Sequence, residues 1–312
     1  MNNPKKEELQ RLLWMANVQG FYPDKSAVEL ENGYQQWKDH RQIFDQLDRD
    51  YSPENIRLGS FNHELVSLSA GIVFTFHYGP YRLLPRYLAA AGYRLTIVVS
   101  SAVLNRERMR YARDLATMGA PADSLECLEA SDTMVIRKML QAISLNRLIL
   151  VFLDANESVG TNESKEEQGR LRVSFGGSYF YWRSNLLKLA HRFGLPVFAI
   201  YLSPKLHHTE PAWQMGNPIN ILTSADKNNP MAILNAFTKL QEIFQKMMHN
   251  DWTAWENWGL MHHYKGFDDR TGSGTKCKGS WMIPFSFSDK GYLFDLSRKI
   301  FYEIIVKKSD IF

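Results

Sequence analysis

Four short apolar runs, at residues 72–76, 94–99, 148–153 and 197–202, are separated by stretches long enough for helices. This alternation constrains the fold more than any other feature. The runs have strand length, and the first, rich in β-branched and aromatic residues, reads as a buried strand. A strand that feeds a helix and then another strand implies parallel strands joined by crossovers. Helices are expected at 80–91, 105–118, 132–145 and 182–193, and a further one, opened by Asn229-Pro230, runs to about residue 249. Gly92, Gly119 and Gly194 follow three of these helices at the C-cap position, and Pro85 is expected to kink the first. The expected fold class is α/β, with a mixed or mostly parallel central sheet flanked by helices. Ahead of it, residues 5–50 read as two or three helices, with Leu9, Leu12, Leu13 and Val18 as one apolar stripe and Val28, Tyr34, Trp37 and Ile43 as another. Ser52-Pro53-Glu54 reads as a further helix start.

The first of the four runs ends in a polar residue. Gly71-Ile72-Val73-Phe74-Thr75-Phe76 leads directly into His77, followed by Tyr78-Gly79-Pro80-Tyr81-Arg82. The Gly-Pro pair turns the chain, and Pro80 suits the first position of a helix. His77 therefore stands at the carboxyl end of a strand, where open α/β sheets hold their ligands.

Composition narrows the function classes. A chain of 312 residues that is 45% hydrophobic and 22% charged can bury a substantial core. Its net charge of +4 is too small and too diffuse for nucleic-acid binding, and no aromatic-basic repeat of the kind that grips single strands occurs. Two cysteines, Cys127 and Cys277, suit a reducing compartment and provide no disulfide framework. No secretory h-region follows Met1-Asn2-Asn3-Pro4, and the longest uninterrupted apolar stretch, Leu148 to Leu153, falls far short of the roughly 20 residues that span a bilayer. A cytoplasmic protein without a transmembrane segment is expected.

The His77 segment resembles the His-x-x-x-x-Asp/Glu motif of the lysophospholipid acyltransferase superfamily. Within it, the nearest branch is the late lipid A acyltransferases (lauroyl and myristoyl transferases), whose version runs His-x-Gly-Asn-Trp-Glu. Four further blocks keep the order of that family: Leu148 to Asp154 resembles its buried strand ending in Asp, Arg172 to Gly177 its Val-Pro-Phe-Phe-Gly stretch, Leu189 to Val197 its Leu-Ala-x-x-x-Gly-x-Pro-Val pattern, and Trp252 to Trp258 its Trp-rich segment. The resemblance implies a glycerolipid-acyltransferase-like fold over 60–260; a helical part at 1–50 precedes it and an extension at 261–312 follows, and with no internal repeat or low-complexity linker a single domain is expected. The family normally carries an N-terminal membrane anchor. None is expected here, which favours a soluble enzyme or one peripheral to the inner membrane.

Acyl transfer from a thioester needs a base for the nucleophile's proton, donors for the developing oxyanion, and a dry place for the acyl group. Histidine suits the first role with its pKa of about 6.5. In the family, the acid five residues on is taken to orient the imidazole. Here that position holds Arg82, which has donors only and, close by, would lower the pKa of His77. Three arrangements stay open. Asp154, or second Glu157, orients His77 from elsewhere; Arg82 faces a substrate phosphate or carboxylate; or the site is inactive. The resemblance makes His77, Arg82 and Asp154 the candidate catalytic residues. Tyr78, Gly79, Tyr81, Phe175 and Gly176 are the candidate substrate-binding residues, with backbone N–H groups near Gly79 and Gly176 as oxyanion donors.

The expected function is transfer of an acyl group from a phosphopantetheine thioester, on an acyl-carrier protein or CoA, to a hydroxyl or amine, with no bound cofactor. The missing anchor and the altered acid suggest a second reading, aminoacyl or peptidyl transfer from a carrier protein in specialised, non-ribosomal peptide-type biosynthesis. A third is an inactive relative that binds an acylated carrier or lipid. The polar stretch from Asp154 to Arg170 reads as a loop, and the apolar tail from Tyr292 to Val306 as a segment that packs on the domain, a partner or a membrane surface. No metal site is expected: His207-His208 and His262-His263, even with Asp268 and Asp269 nearby, are adjacent pairs whose side chains point opposite ways on an extended chain. Cys127, between Glu126 and Glu129, is expected to be a poor nucleophile. Trp252, Trp255 and Trp258, spaced by three, read as one side of a helix.

Overall fold

The first apolar run becomes an inner strand of a six-stranded sheet because both of its faces are covered; every residue from Gly71 to Thr75 is buried. The computed structural model describes residues 4–50, 68–117, 119–155, 169–204, 213–263, 282–287, 290–296 and 298–304. Ser52-Pro53-Glu54, Glu157, His207, His208, Asp268, Asp269 and Cys277 lie outside the described residues, as do the side chains of His262 and His263.

In chain order the helices are α1 (Pro4–Phe21), α2 (Ala27–Arg49), α3 (Leu84–Ala90), α4 (Ser101–Thr117), α5 (Val135–Ser144), α6 (Asn185–Phe193) and α7 (Ala232–Asp251). The strands are β1 (Gly71–Thr75), β2 (Leu95–Val99), β3 (Leu125–Glu129), β4 (Leu148–Phe152), β5 (Arg170–Phe175), β6 (Ser178–Arg183), β7 (Val197–Ala199), β8 (Leu202–Pro204), β9 (Trp213–Met215), β10 (Ile219–Leu222), β11 (Met282–Phe287), β12 (Lys290–Asp295) and β13 (Ile300–Ile304). The chain gathers into two units, one of residues 1–39, 172–181 and 257–312 and one of residues 40–171 and 182–256.

The larger unit carries the sheet, in the order β10-β7-β1-β4-β2-β3. Strands β7, β1, β4, β2 and β3 run parallel and β10 pairs antiparallel at one edge. The expected mostly parallel α/β architecture is present. From β1 the chain moves to β2 and β3 on one side, returns through β4, and then crosses to β7 on the other side. The order of travel thus reverses at β1, where the carboxyl ends of an open sheet leave a crevice.

Several boundaries differ from those the sequence predicts. Strand β3, Leu-Glu-Cys-Leu-Glu, lies at the sheet edge with two glutamates among its five residues, so it has no apolar run to betray it. Trp182 belongs to β6 rather than to the helix that follows. Pro85 kinks nothing: a 3-10 turn over Tyr81–Leu83 precedes it and it sits in the first turn of α3, where a missing N–H costs nothing. Trp255 has extended backbone between two 3-10 helices, Trp252–Ala254 and Glu256–His263, so the three spaced tryptophans do not share a helix face.

The smaller unit contains α1, the first half of α2 and the antiparallel sheet β11-β12-β13. Trp14, Tyr34 and Trp37 cluster between α1 and α2, and Leu30 is buried on the same stripe of α2, whereas Val28 is 68% exposed and off it. Phe21 packs against Phe175, Phe180 and Trp258. Among the described residues no helix is long and apolar enough to cross a membrane.

Close approach of β1 to its neighbour segment dictates its first residue. A Cβ on Gly71 would lie 2.4 Å from the carbonyl oxygen of Pro196, the same oxygen that accepts the Ile72 N–H at 3.0 Å. Gly71→Ala is therefore expected to push two paired segments apart and to cost about 1–3 kcal/mol of stability, read as a lower midpoint in thermal or denaturant unfolding.

Candidate active site

Strands β1 and β4 are neighbours in register, with Thr75 opposite Phe152. The Leu153 N–H extends the ladder by donating to the Thr75 carbonyl at 2.9 Å. Continuing each chain by two residues brings His77 opposite Asp154, just past the carboxyl ends of both strands. Two residues remote in sequence thus meet because of strand adjacency, and the contact is tight. His77 Nδ1 lies 2.8 Å from Asp154 Oδ1, and the His77 backbone N–H is 3.1 and 3.0 Å from the two carboxylate oxygens. The Trp255 indole N–H donates to Oδ2 at 2.7 Å.

Asp154 is only 1% exposed, so its carboxylate finds its partners within the protein rather than in water. An ionised carboxylate can only accept, which assigns the hydrogen to Nδ1 of His77 and leaves Nε2 as the free lone pair. The imidazole is 21% exposed. Tyr81 meets it edge to face at 4.8 Å between centroids, and Phe152 lies at 4.7 Å, tilted by 32°. The ring is thus walled by aromatics and aimed by a buried acid.

Burial works against the imidazolium, but the charge and hydrogen bond of Asp154, aided by Glu256, outweigh it and raise the pKa of His77 above its ordinary value. Arg82 does pull it down, as its cationic charge requires, yet it is the weakest of these influences. The lowering by Arg82 expected from the sequence is present, and Asp154 outweighs it.

Residues 254–256 form a strap across the His77 turn. Gly79 N–H donates to the Ala254 carbonyl at 3.0 Å, Glu256 N–H donates to the His77 carbonyl at 2.9 Å, and Tyr78 and Trp255 face each other in an antiparallel bridge. Gly79 has φ +63, and a Cβ there would stand 2.4 Å from the Trp213 ring, so the turn excludes other residues twice over. Its amide, proposed from the sequence as an oxyanion donor, is already committed to Ala254. Tyr78 is likewise a core residue: it is 1% exposed and its hydroxyl donates to the Met247 carbonyl at 2.9 Å. A side chain so placed does not meet a substrate, which corrects its expected role.

Arg82 is occupied by acids. Its guanidinium lies 2.6 Å from Asp45, 3.8 Å from Asp48 and 3.4 Å from Glu256, and its Nε donates to the Tyr81 hydroxyl at 3.2 Å. Asp48 also pairs with Arg86 at 2.8 Å and with Arg110, and Arg86 reaches Asp114 at 2.7 Å. This network joins α2, α3 and α4 and keeps Arg82 off the Asp154 carboxylate. Burial and the negative charge of Glu256 hold the Tyr81 hydroxyl well above its ordinary pKa, so it stays protonated. Arg41, Phe44, Asp45, Gly79, Pro80, Tyr81, Arg82 and Glu256 line a small cleft.

Phe175 and Gly176 belong to the smaller unit. Phe175 packs on Phe21, and a Cβ on Gly176 would meet the Phe21 carbonyl at 2.2 Å. Burial, then the charge of Glu126, pushes the Cys127 thiol up to about 11, so it is no nucleophile near neutral pH. Among the described residues, no group of three or more His, Cys, Asp or Glu side chains could hold a metal.

No protein-family model matches the chain, and a comparison with curated proteins finds no match. The site includes residues to which the sequence assigns no place beside His77: Asp45 and Asp48, three apart on α2, and Phe152, Trp255 and Glu256. Phe152 lies in the apolar run that ends at Asp154, and Trp255 and Glu256 lie in the Trp-rich segment; Asp45 and Asp48 carry no signal.

Two outcomes are expected. His77 titrates higher folded than unfolded, so protonation stabilises the fold. That contribution is complete below about pH 6.5 and is lost as pH rises through the folded value. The stability difference between the protein and His77→Gln, measured by unfolding at several pH values, should shrink as pH rises through the folded value. Arg82→Glu places a fourth carboxylate beside Asp45, Asp48 and Glu256. It is expected to lower the melting temperature and raise the His77 pKa, read by imidazole resonances in NMR.

Proposed function

We propose that this chain is an acyltransferase that moves an acyl group from a phosphopantetheine thioester, on a carrier protein or CoA, to a hydroxyl or amine. The observation that carries the reading is the His77–Asp154 pair at the carboxyl ends of two adjacent parallel strands, with Nδ1 and Oδ1 2.8 Å apart. His77 Nε2 takes the acceptor's proton as its oxygen or nitrogen attacks the thioester carbonyl. The tetrahedral intermediate collapses by breaking the carbon–sulfur bond, and the imidazolium returns the proton to the leaving thiolate. Asp154 keeps the tautomer and stabilises the transient cation, as in hydrolase triads. The resemblance to the late lipid A acyltransferases supports the same chemistry. In this account Asp154 fills the role of the acid that Arg82 displaces.

One observation favours aminoacyl or peptidyl groups over fatty chains. The cleft beside Tyr81 is lined by the charged Arg41, Asp45, Arg82 and Glu256 together with Phe44, Gly79, Pro80 and Tyr81. An alkyl chain gains nothing from the charged side of this wall, whereas an amine-bearing or peptide-like group can exchange hydrogen bonds with the acids and arginines already paired there. An inactive binding relative has less support, because His77 and Asp154 are in contact at 2.8 Å, the arrangement that a general base needs.

Carriers loaded with fatty acyl or with aminoacyl groups, followed by intact mass, test the reading. Loss of the thioester with native protein is expected, faster for the aminoacyl donor. The rate should rise with pH as His77 becomes neutral. His77→Ala should reduce it about 10²–10⁴-fold, and Asp154→Asn by as much as about 10⁴-fold. An unchanged rate in His77→Ala overturns the mechanism, and stable binding without thioester loss assigns the chain to the inactive relatives.

A further inference from the structure

The buried carboxylate of Asp154 has two oxygens to satisfy. Oδ1 faces Nδ1 of His77, and both oxygens share the His77 backbone N–H. Beyond that shared amide, Oδ2 accepts from the indole of Trp255, which is itself fully buried. Removing the indole N–H would take a short, direct donor from a desolvated anion, and with it one of the contacts that fix the orientation of the carboxylate.

The indole, in contrast, cannot drift. Its neighbours in sequence are tied by backbone bonds to the His77 turn, Ala254 to Gly79 and Glu256 to His77, and its ring packs on Phe244 at 5.2 Å. Four groups are therefore locked by one short segment: the base's carbonyl, the turn glycine, the orienting acid and, through Glu256, Arg82.

We propose that Trp255 is a positioning residue of the site, whose indole N–H holds Asp154 Oδ2 so that Oδ1 faces His77 Nδ1. This rests on the His77–Asp154 reading above. In the protein the strap supplies an orienting element that a contiguous His-to-acid motif would not need. The acid comes from a separate strand end and needs a third group to aim it. The groups facing His77 are Asp154, Glu256, Arg82 and Tyr81, so a change at Trp255 alters the surroundings of Asp154 without adding or removing a charge.

Trp255→Phe keeps the ring and removes the donor. The anion then loses a partner, which destabilises the neutral-imidazole state more than the ion pair. The His77 midpoint, followed by imidazole NMR, should move up by about half to one pH unit. Trp258→Phe, a buried tryptophan of the smaller unit, should leave that midpoint unmoved even if it lowers the melting temperature. Should Trp255→Phe fail to fold, the native protein still decides the matter: the Trp255 indole N–H resonance must follow the His77 titration with the same midpoint. A midpoint unchanged in a folded Trp255→Phe protein, or an indole resonance indifferent to that titration, overturns the proposal. Neither measurement needs acyl transfer. A shifted midpoint without transfer therefore overturns the proposed function and leaves the positioning role intact.

Discussion

Parallel pairing of β1 with β4 is the constraint on which the site depends. The pairing brings the strand ends to one level, so that the residues two steps beyond them, His77 and Asp154, lie side by side. Both are polar groups at the edge of an apolar sheet, and each relieves the cost of the other's partial burial. The imidazole gives the carboxylate a donor and the carboxylate gives the imidazole a tautomer. A slip of one residue between the strands would separate the pair and turn inward-facing side chains outward. Register is held by the covered faces of the sheet rather than by the polar contact itself.

Arg82 makes sense within the same frame. Five residues after His77, a carboxylate would have competed with Asp154 for the imidazole. An arginine instead gathers Asp45, Asp48 and Glu256, which would otherwise repel one another beside the turn. It offsets the negative charge of Asp45 and Asp48 in the second half of α2, and its influence on His77 is small beside that of Asp154. Through Glu256 it also anchors the strap that supplies Trp255. The position that breaks the acyltransferase motif thus sits at the junction of two supports of the site.

Much of the frame was legible in the residues. Unbroken apolar runs located β1, β2 and β4 because strands covered on both faces carry no polar alternation to obscure them. The Leu-Glu-Cys-Leu-Glu segment of β3 escaped notice because an edge strand tolerates polar side chains. Trp255 was misplaced for a different reason. A spacing of three suggests a helix, but its backbone is recruited into a bridge with Tyr78 by carbonyl and amide groups that no side-chain pattern reports. Tyr78 and Gly79 were noticed as motif neighbours of His77, and their burial was not, since it depends on Met247, Trp213 and Ala254 arriving from far along the chain.

The sequence by itself determined which groups stand at strand ends, His77 after one apolar run and Asp154 after another, because strand length and turn chemistry are local properties. It also showed that Arg82 could not serve as the acid, since a guanidinium has nothing to accept with. The tertiary structure alone decided that these two strand ends are neighbours, although β2 and β3 lie between them in sequence. It decided too that Trp255 completes the carboxylate and that α2 brings the acids for Arg82. Strand order and helix docking are set by non-local packing and hydrogen bonding, which no stretch of residues specifies until the whole sheet has closed around it.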